Sequence, residues 1–157
     1  MMKIFLSCCF FLGALVIIQG QNSTPNNDII SISSGVSFGM CRGYCRRSIM
    51  ISSNLKRVIS IKEANYQQTE FPPVKKAAPF TAEEWNELVS LVDFNAFQAL
   101  NEQIGCPDCA DGGAEWIQIE TKGQMKKVTF ENGRLIKGFE GLVVQLRNLR
   151  NQYTKDL

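Results

Sequence analysis

Apolar residues recur along this chain with two periods, near two and near 3.6 residues, and the switches between them predict the elements. Ile29-Ile30-Ser31-Ile32-Ser33 opens a β-rich run that reaches Val36 and predicts a first strand. From Cys45 the alternation is strict. Cys45, Arg47, Ile49 and Ile51 fall on one face, and Arg46, Ser48, Met50 and Ser52 on the other, which predicts a second strand. Ser52-Ser53-Asn54 reads as a turn, and Lys56 to Lys62 alternates again as a third strand. These strands are expected to form an antiparallel meander, with Cys41 and Cys45 at its first bend. Glu63 to Pro79 contains Pro72-Pro73 and Pro79 and reads as a long connector in extended or polyproline form.

Thr81-Ala82-Glu83-Glu84 carries the sequence of a capping box, and Phe80 and Trp85 occupy the positions of a hydrophobic staple. A helix should therefore start here, burying Trp85, Leu88, Val89, Leu91 and Val92, and Asp93 should cap a further turn through Phe94, Phe97 and Leu100. Farther on, Trp116 to Glu120 and Lys126 to Phe130 predict two strands joined at Lys122-Gly123. Asn132-Gly133 is a tight-turn signal. A final helix follows from the spacing of Phe139, Leu142, Val143, Leu146, Leu149 and Tyr153, with Arg147 and Arg150 near the negative end of its dipole. The order βββ-α-ββ-α predicts an α+β fold, a single antiparallel sheet of about five strands with two helices on one face.

The ends change the picture by placing the chain outside the cytoplasm. Lys3 precedes an apolar stretch from Ile4 to Ile18 interrupted by Ser7, and Ile18-Gln19-Gly20 ends in a small residue. This is the pattern of a signal peptide over residues 1–20, cleaved before Gln21, and the stretch is short for a membrane span. Residues 21–27 form a polar lead, and residues 28–157 make one domain. The expected localisation is secreted or periplasmic, with membrane contact only in transit through the signal peptide. Without Lys3, 16 basic residues face 15 acidic ones, a net charge of +1 that argues against nucleic acid as a partner.

The chemistry-bearing residues gather at two places. Cys8 and Cys9 leave with the signal, so Cys41, Cys45, Cys106 and Cys109 remain, an even number in an exported chain that reads as two disulfides. Either the bridges are local or they cross between the loops. The second pair sits in Gly105-Cys106-Pro107-Asp108-Cys109-Ala110-Asp111-Gly112-Gly113-Ala114-Glu115-Trp116. A zinc site of four thiolates matches the spacing but not the oxidising compartment. A thiol–disulfide site at Cys106 and Cys109 is the alternative function. Its acidic neighbours Asp108 and Asp111 raise a thiolate pKa rather than lower it, and a strand follows where such enzymes place a helix. Asp108, Asp111 and Glu115 do not have the spacing of a calcium loop, and nothing sets their pKa values apart as a hydrolytic pair requires. The chain has no histidine, which excludes histidine-activated nucleophiles and imidazole metal sites. A non-enzymatic protein with no cofactor is expected. The glycines and aspartates are read as shaping a turn that delivers Trp116 to the core.

Gly39-Met40-Cys41-Arg42-Gly43-Tyr44-Cys45, a C-x-x-x-C turn after an opening strand and before an alternating one, resembles small exported bacterial domains of unknown function. The resemblance covers roughly residues 28–130. It implies export and a meander followed by a helix, and it implies no catalytic residue. The expected activity is that of a binding or envelope accessory module with an unknown protein or envelope partner. The candidate binding surface is the cysteine end of the sheet, with Arg42, Tyr44, Arg46 and Arg47 beside Asp108 and Asp111.

Overall fold

The computed structural model describes residues 28–157; the predicted signal segment and the polar lead lie outside the described residues. Seven strands form one sheet: β1 (Ile29–Ser37), β2 (Arg46–Ser52), β3 (Arg57–Glu63), β4 (Val74–Pro79), β5 (Gln103–Ile104), β6 (Ala114–Thr121) and β7 (Met125–Glu131). Three α-helices accompany them: α1 (Ala82–Ser90), α2 (Phe94–Gln98) and α3 (Glu140–Thr154). The strand order is β4-β3-β2-β1-β6-β7-β5. Every neighbouring pair is antiparallel except β5 with β7, which is parallel.

This corrects the expected five-stranded antiparallel sheet with two helices, and each addition has a physical reason. The connector's last third pairs along β3 as the edge strand β4, from Val74 opposite Lys62 to Pro79 opposite Arg57. Its exposed lysines, Lys75 and Lys76, hide the apolar alternation that marks a strand, and they protect an edge from pairing with another chain. β5 is two residues long, too short to leave a period, and it makes the sheet mixed. Asp93 does cap a further turn, its Oδ1 accepting the Ala96 amide at 3.0 Å, and that turn is a separate helix of five residues.

One face of the sheet holds the core. Ile32 lies between Ile51 and Ile119, and Ser34 between Ile49 and Ile117. Against these pack Leu88 of α1, Phe97 of α2, Val92 from the link between them, and Leu142, Val143, Leu146 and Leu149 of α3. The capping box of α1 is complete: the Glu84 amide donates to Thr81 Oγ1 at 3.1 Å, and the Thr81 amide donates to Glu84 at 2.7 Å. Leu91, expected in the buried face, is exposed.

Trp116 is the other correction. It alternates out of phase with buried Ile117 and Ile119, so it lies on the opposite face. There its indole rests over Gly35, directly opposite in register, and Lys127 Nζ stands 4.6 Å from the ring centroid. The turn before β6 therefore delivers Glu115, not Trp116, to the helix-covered side.

Candidate functional site

Both cysteine loops leave the same end of the sheet. β1 ends at Ser37, which pairs with Arg46 on one side and Ala114 on the other, and β5 points its exit into Gly105-Cys106. The disulfides are local, Cys41 to Cys45 and Cys106 to Cys109, with Cα separations of 5.6 and 5.5 Å. Cys45 is buried, whereas Cys106 and Cys109 are exposed. Among the described residues no group of three or more histidine, cysteine, aspartate or glutamate side chains is placed to hold a metal ion.

Asp108 ties the two loops together. Its Oδ1 accepts the Gly39 amide at 3.3 Å and the Gly113 amide at 3.1 Å. Asp108, Ala110 and Asp111 all have left-handed backbone, with φ of 59°, 51° and 58°. Aspartate enters that region more readily than alanine because its short polar side chain can bond locally. The residues after β3 close over the first loop. Asn65 Nδ2 donates to the carbonyls of Phe38 and Gly39 at 2.6 and 3.0 Å, and Phe71 meets Tyr44 edge to face at 5.5 Å.

The structure divides the predicted surface. Arg42 pairs with Glu70 in an exposed pair and Arg46 with half-buried Glu63, and neither arginine engages Asp108 or Asp111. Asp108 is committed to the loop amides, and Asp111 stands exposed at the 3-10 turn. Tyr44 and Arg47 alone of the six line a cavity of about 450 Å3 under the Cys41–Cys45 loop. Val36, Phe38 and the disulfide supply its apolar wall. Glu115, Arg147, Arg150 and Asn151 supply the polar one, and Asn132 and Gly133 close it.

Sequence reasoning missed the polar wall. Glu115 shares the inward phase of Ile117 and Ile119, and Arg150 falls on the apolar stripe of α3, so both carry charge into the interior. Glu115 is 2% exposed and Arg150 4%. Glu115 accepts from Arg150 Nη2 at 2.8 Å, from Arg147 Nη2 at 3.0 Å and Nε at 3.3 Å, and from the Gly133 amide at 2.9 Å. Burial raises its pKa. The Gly133 amide and then the two guanidinium groups outweigh that, so the carboxyl lies below its ordinary value and is ionised at neutral pH. Arg150 Nη1 also donates to Ser34 Oγ at 2.9 Å, which satisfies the one hydroxyl in the β1 core row. A carboxylate in the buried phase of one strand and an arginine in the apolar stripe of a helix was the available signal.

No protein-family model matches the chain, and no curated protein matches it.

Proposed function

We propose that this is an exported, disulfide-stapled, non-enzymatic binding protein, secreted or periplasmic, whose ligand site is the cavity between the Cys41–Cys45 loop and α3. One observation carries the reading. Arg47 lines that cavity with no side-chain hydrogen-bond or ion-pair partner among the described residues, beside two arginines that a buried carboxylate holds. A concave site with an apolar wall and a few polar groups is the form that small-ligand sites take, and its volume is in their usual range. The bridge in its wall fits an oxidising compartment. No helix among the described residues is long and apolar enough to cross a membrane.

The test has two parts. Intact mass of the chain recovered outside the cytoplasm should show a start at Gln21 and no alkylatable thiols before reduction. A fragment screen followed by amide chemical shifts should give changes clustered at Val36, Tyr44, Arg47 and Asn151. Four free thiols, or shifts scattered over the surface, overturn the reading.

A thiol–disulfide reading keeps one observation, the exposure of both Cys106 and Cys109. It predicts selective reduction of that pair near thioredoxin potentials and reductase or oxidase turnover with a dithiol or disulfide substrate.

A further inference from the structure

The geometry points to an organic anion as the ligand of this cavity: a carboxylate head joined to an apolar body. This rests on the binding reading above and assigns its ligand class.

The charge lining the cavity is unbalanced. Arg47, Arg147 and Arg150 face it, and Glu115 is the sole acid among the lining residues. With Glu115 ionised, three positive charges meet one negative. The carboxylate of β3, Glu63, belongs to the sheet's opposite face, where it pairs with Arg46. Register fixes the starting points. Arg47 and Glu115 flank Val36 on adjacent strands of the helix-covered face, so the exposed Arg47 side chain leaves β2 one strand from the apolar floor.

Donors remain after the internal network is satisfied. Arg147 spends Nε and Nη2 on Glu115 and on the Arg134 carbonyl, which leaves Nη1 without an acceptor. Among the described residues, none accepts from the five guanidinium N–H groups of Arg47. Guanidinium recognises carboxylate through paired, charge-assisted hydrogen bonds, the strong class of such bonds. Glu115 then acts as a positioning residue: it holds Arg147 and Arg150 in place without touching the ligand.

The opposite wall selects the rest of the molecule. Val36, Phe38, Tyr44 and the Cys41–Cys45 bridge present carbon and sulfur. A fully hydrated anion such as sulfate gains nothing from that wall. An aryl or branched alkyl group attached to the carboxylate gains its burial. The same chemistry is offered by a free organic acid and by the C-terminal residue of a polypeptide.

The experiment uses the purified chain with both disulfides intact and titrates four probes by calorimetry: N-acetyl-phenylalanine, its amide, sodium sulfate, and a pentapeptide ending in phenylalanine with a free carboxylate. The acid should bind at least roughly tenfold more tightly than the amide or sulfate, the difference expected for one charge-assisted contact. A pentapeptide that binds roughly tenfold more tightly than the acid identifies a polypeptide end as the source. Equal affinity identifies a free acid. Arg47→Glu should abolish binding of both while the melting temperature holds, because Arg47 has no partner to lose. Arg47→Lys should keep the charge and part of the affinity. Acid and amide binding alike, no binding of either at millimolar concentration, or binding unaltered by Arg47→Glu overturns the ligand class. If thiols are absent and fragments still cluster at the cavity, only the ligand class has failed. Fragment shifts scattered over the surface overturn the binding reading as well.

Discussion

Arg150 Nη2 donates to Glu115 Oε2 at 2.8 Å, joining the last turns of α3 to the first residues of β6 through two side chains that are almost wholly buried. The pair lies beside the apolar packing of Leu146 and Leu149 on the sheet. Burying two charges costs several kcal/mol each, about as much as their attraction returns, so the pair contributes more to geometry than to net stability. Removing Glu115 is different, because it leaves the buried Arg150 guanidinium with no carboxylate. Glu115→Leu should cost about 3–5 kcal/mol in urea unfolding. Changing Arg150→Met together with Glu115→Leu should cost less than Glu115→Leu alone, a coupling that a double-mutant cycle reads directly. Additive losses would show that the two side chains do not interact.

The same carboxylate sets an acid limit. The folded pKa of Glu115 is depressed, so its ionised form favours the native state. That contribution is fully present above the ordinary carboxylate range and is lost as pH falls through the folded value. The stability difference between wild type and Glu115→Gln, measured by denaturant titration, should therefore shrink as pH is lowered below the carboxylate range. A difference that is flat from neutral pH into acid contradicts the assignment.

How much of this was legible in the chain depends on how far each residue's environment is local. The α1 start was fully legible because Thr81 and Glu84 satisfy one another within one turn. Strand β2 was legible from alternation, with Ile49 and Ile51 buried and Arg46 and Met50 exposed, and β1 and β3 from their isoleucine- and valine-rich runs. The edge strand β4 was hidden because its exposed lysines and its terminal Pro79 are the features that keep an edge from aggregating, and they erase the apolar pattern. The cavity was half legible. Tyr44 and Arg47 were picked out from their place beside the first cysteine bend. Glu115 was grouped with Asp108 and Asp111 by nearness in sequence, although its phase matched Ile117. Its partners Arg147 and Arg150 lie 32 and 35 residues away, a pairing that only the fold creates.

Trp116 and Gly35 form a second pair that the sheet register imposes. A β-carbon at Gly35 would collide with the indole, so the glycine is required by contact rather than by its dihedral angles. Gly35→Ala should cost about 1–3 kcal/mol, the usual range for overpacking. In a Trp116→Ala background the same change should cost much less. Equal costs in both backgrounds, measured by thermal or urea unfolding, would place the clash elsewhere.

The loop aspartate separates two roles that sequence cannot. Asp108 combines left-handed backbone with two accepted amide bonds that join the cysteine loops. Asp108→Asn keeps an acceptor and a residue that tolerates this conformation, and should change stability little. Asp108→Ala loses both and should cost about 2–4 kcal/mol, the sum of an αL penalty and a lost charged hydrogen bond. Equal effects of the two substitutions would show that Asp108 does not bridge the loops.

The two disulfides should respond differently to reductant because their surroundings differ. Cys106 and Cys109 are exposed, whereas Cys45 is buried under the loop that walls the cavity and Tyr44 and Phe71 pack beside it. A thiolate must reach a sulfur in line to exchange with it, so access sets the order. Under mild dithiothreitol, alkylation followed by peptide mass mapping should label Cys106 and Cys109 first. Replacing that pair with serine should leave the melting temperature near wild type, since a bridge closing so short a loop removes little chain entropy. The cavity should also keep its ligands in that variant. Replacing Cys41 and Cys45 should loosen the apolar wall and weaken binding at Arg47 while the sheet remains folded. If Cys41 and Cys45 are labelled first, the loop over the cavity opens more readily than its packing indicates, and the wall is not the fixed surface on which the binding argument depends.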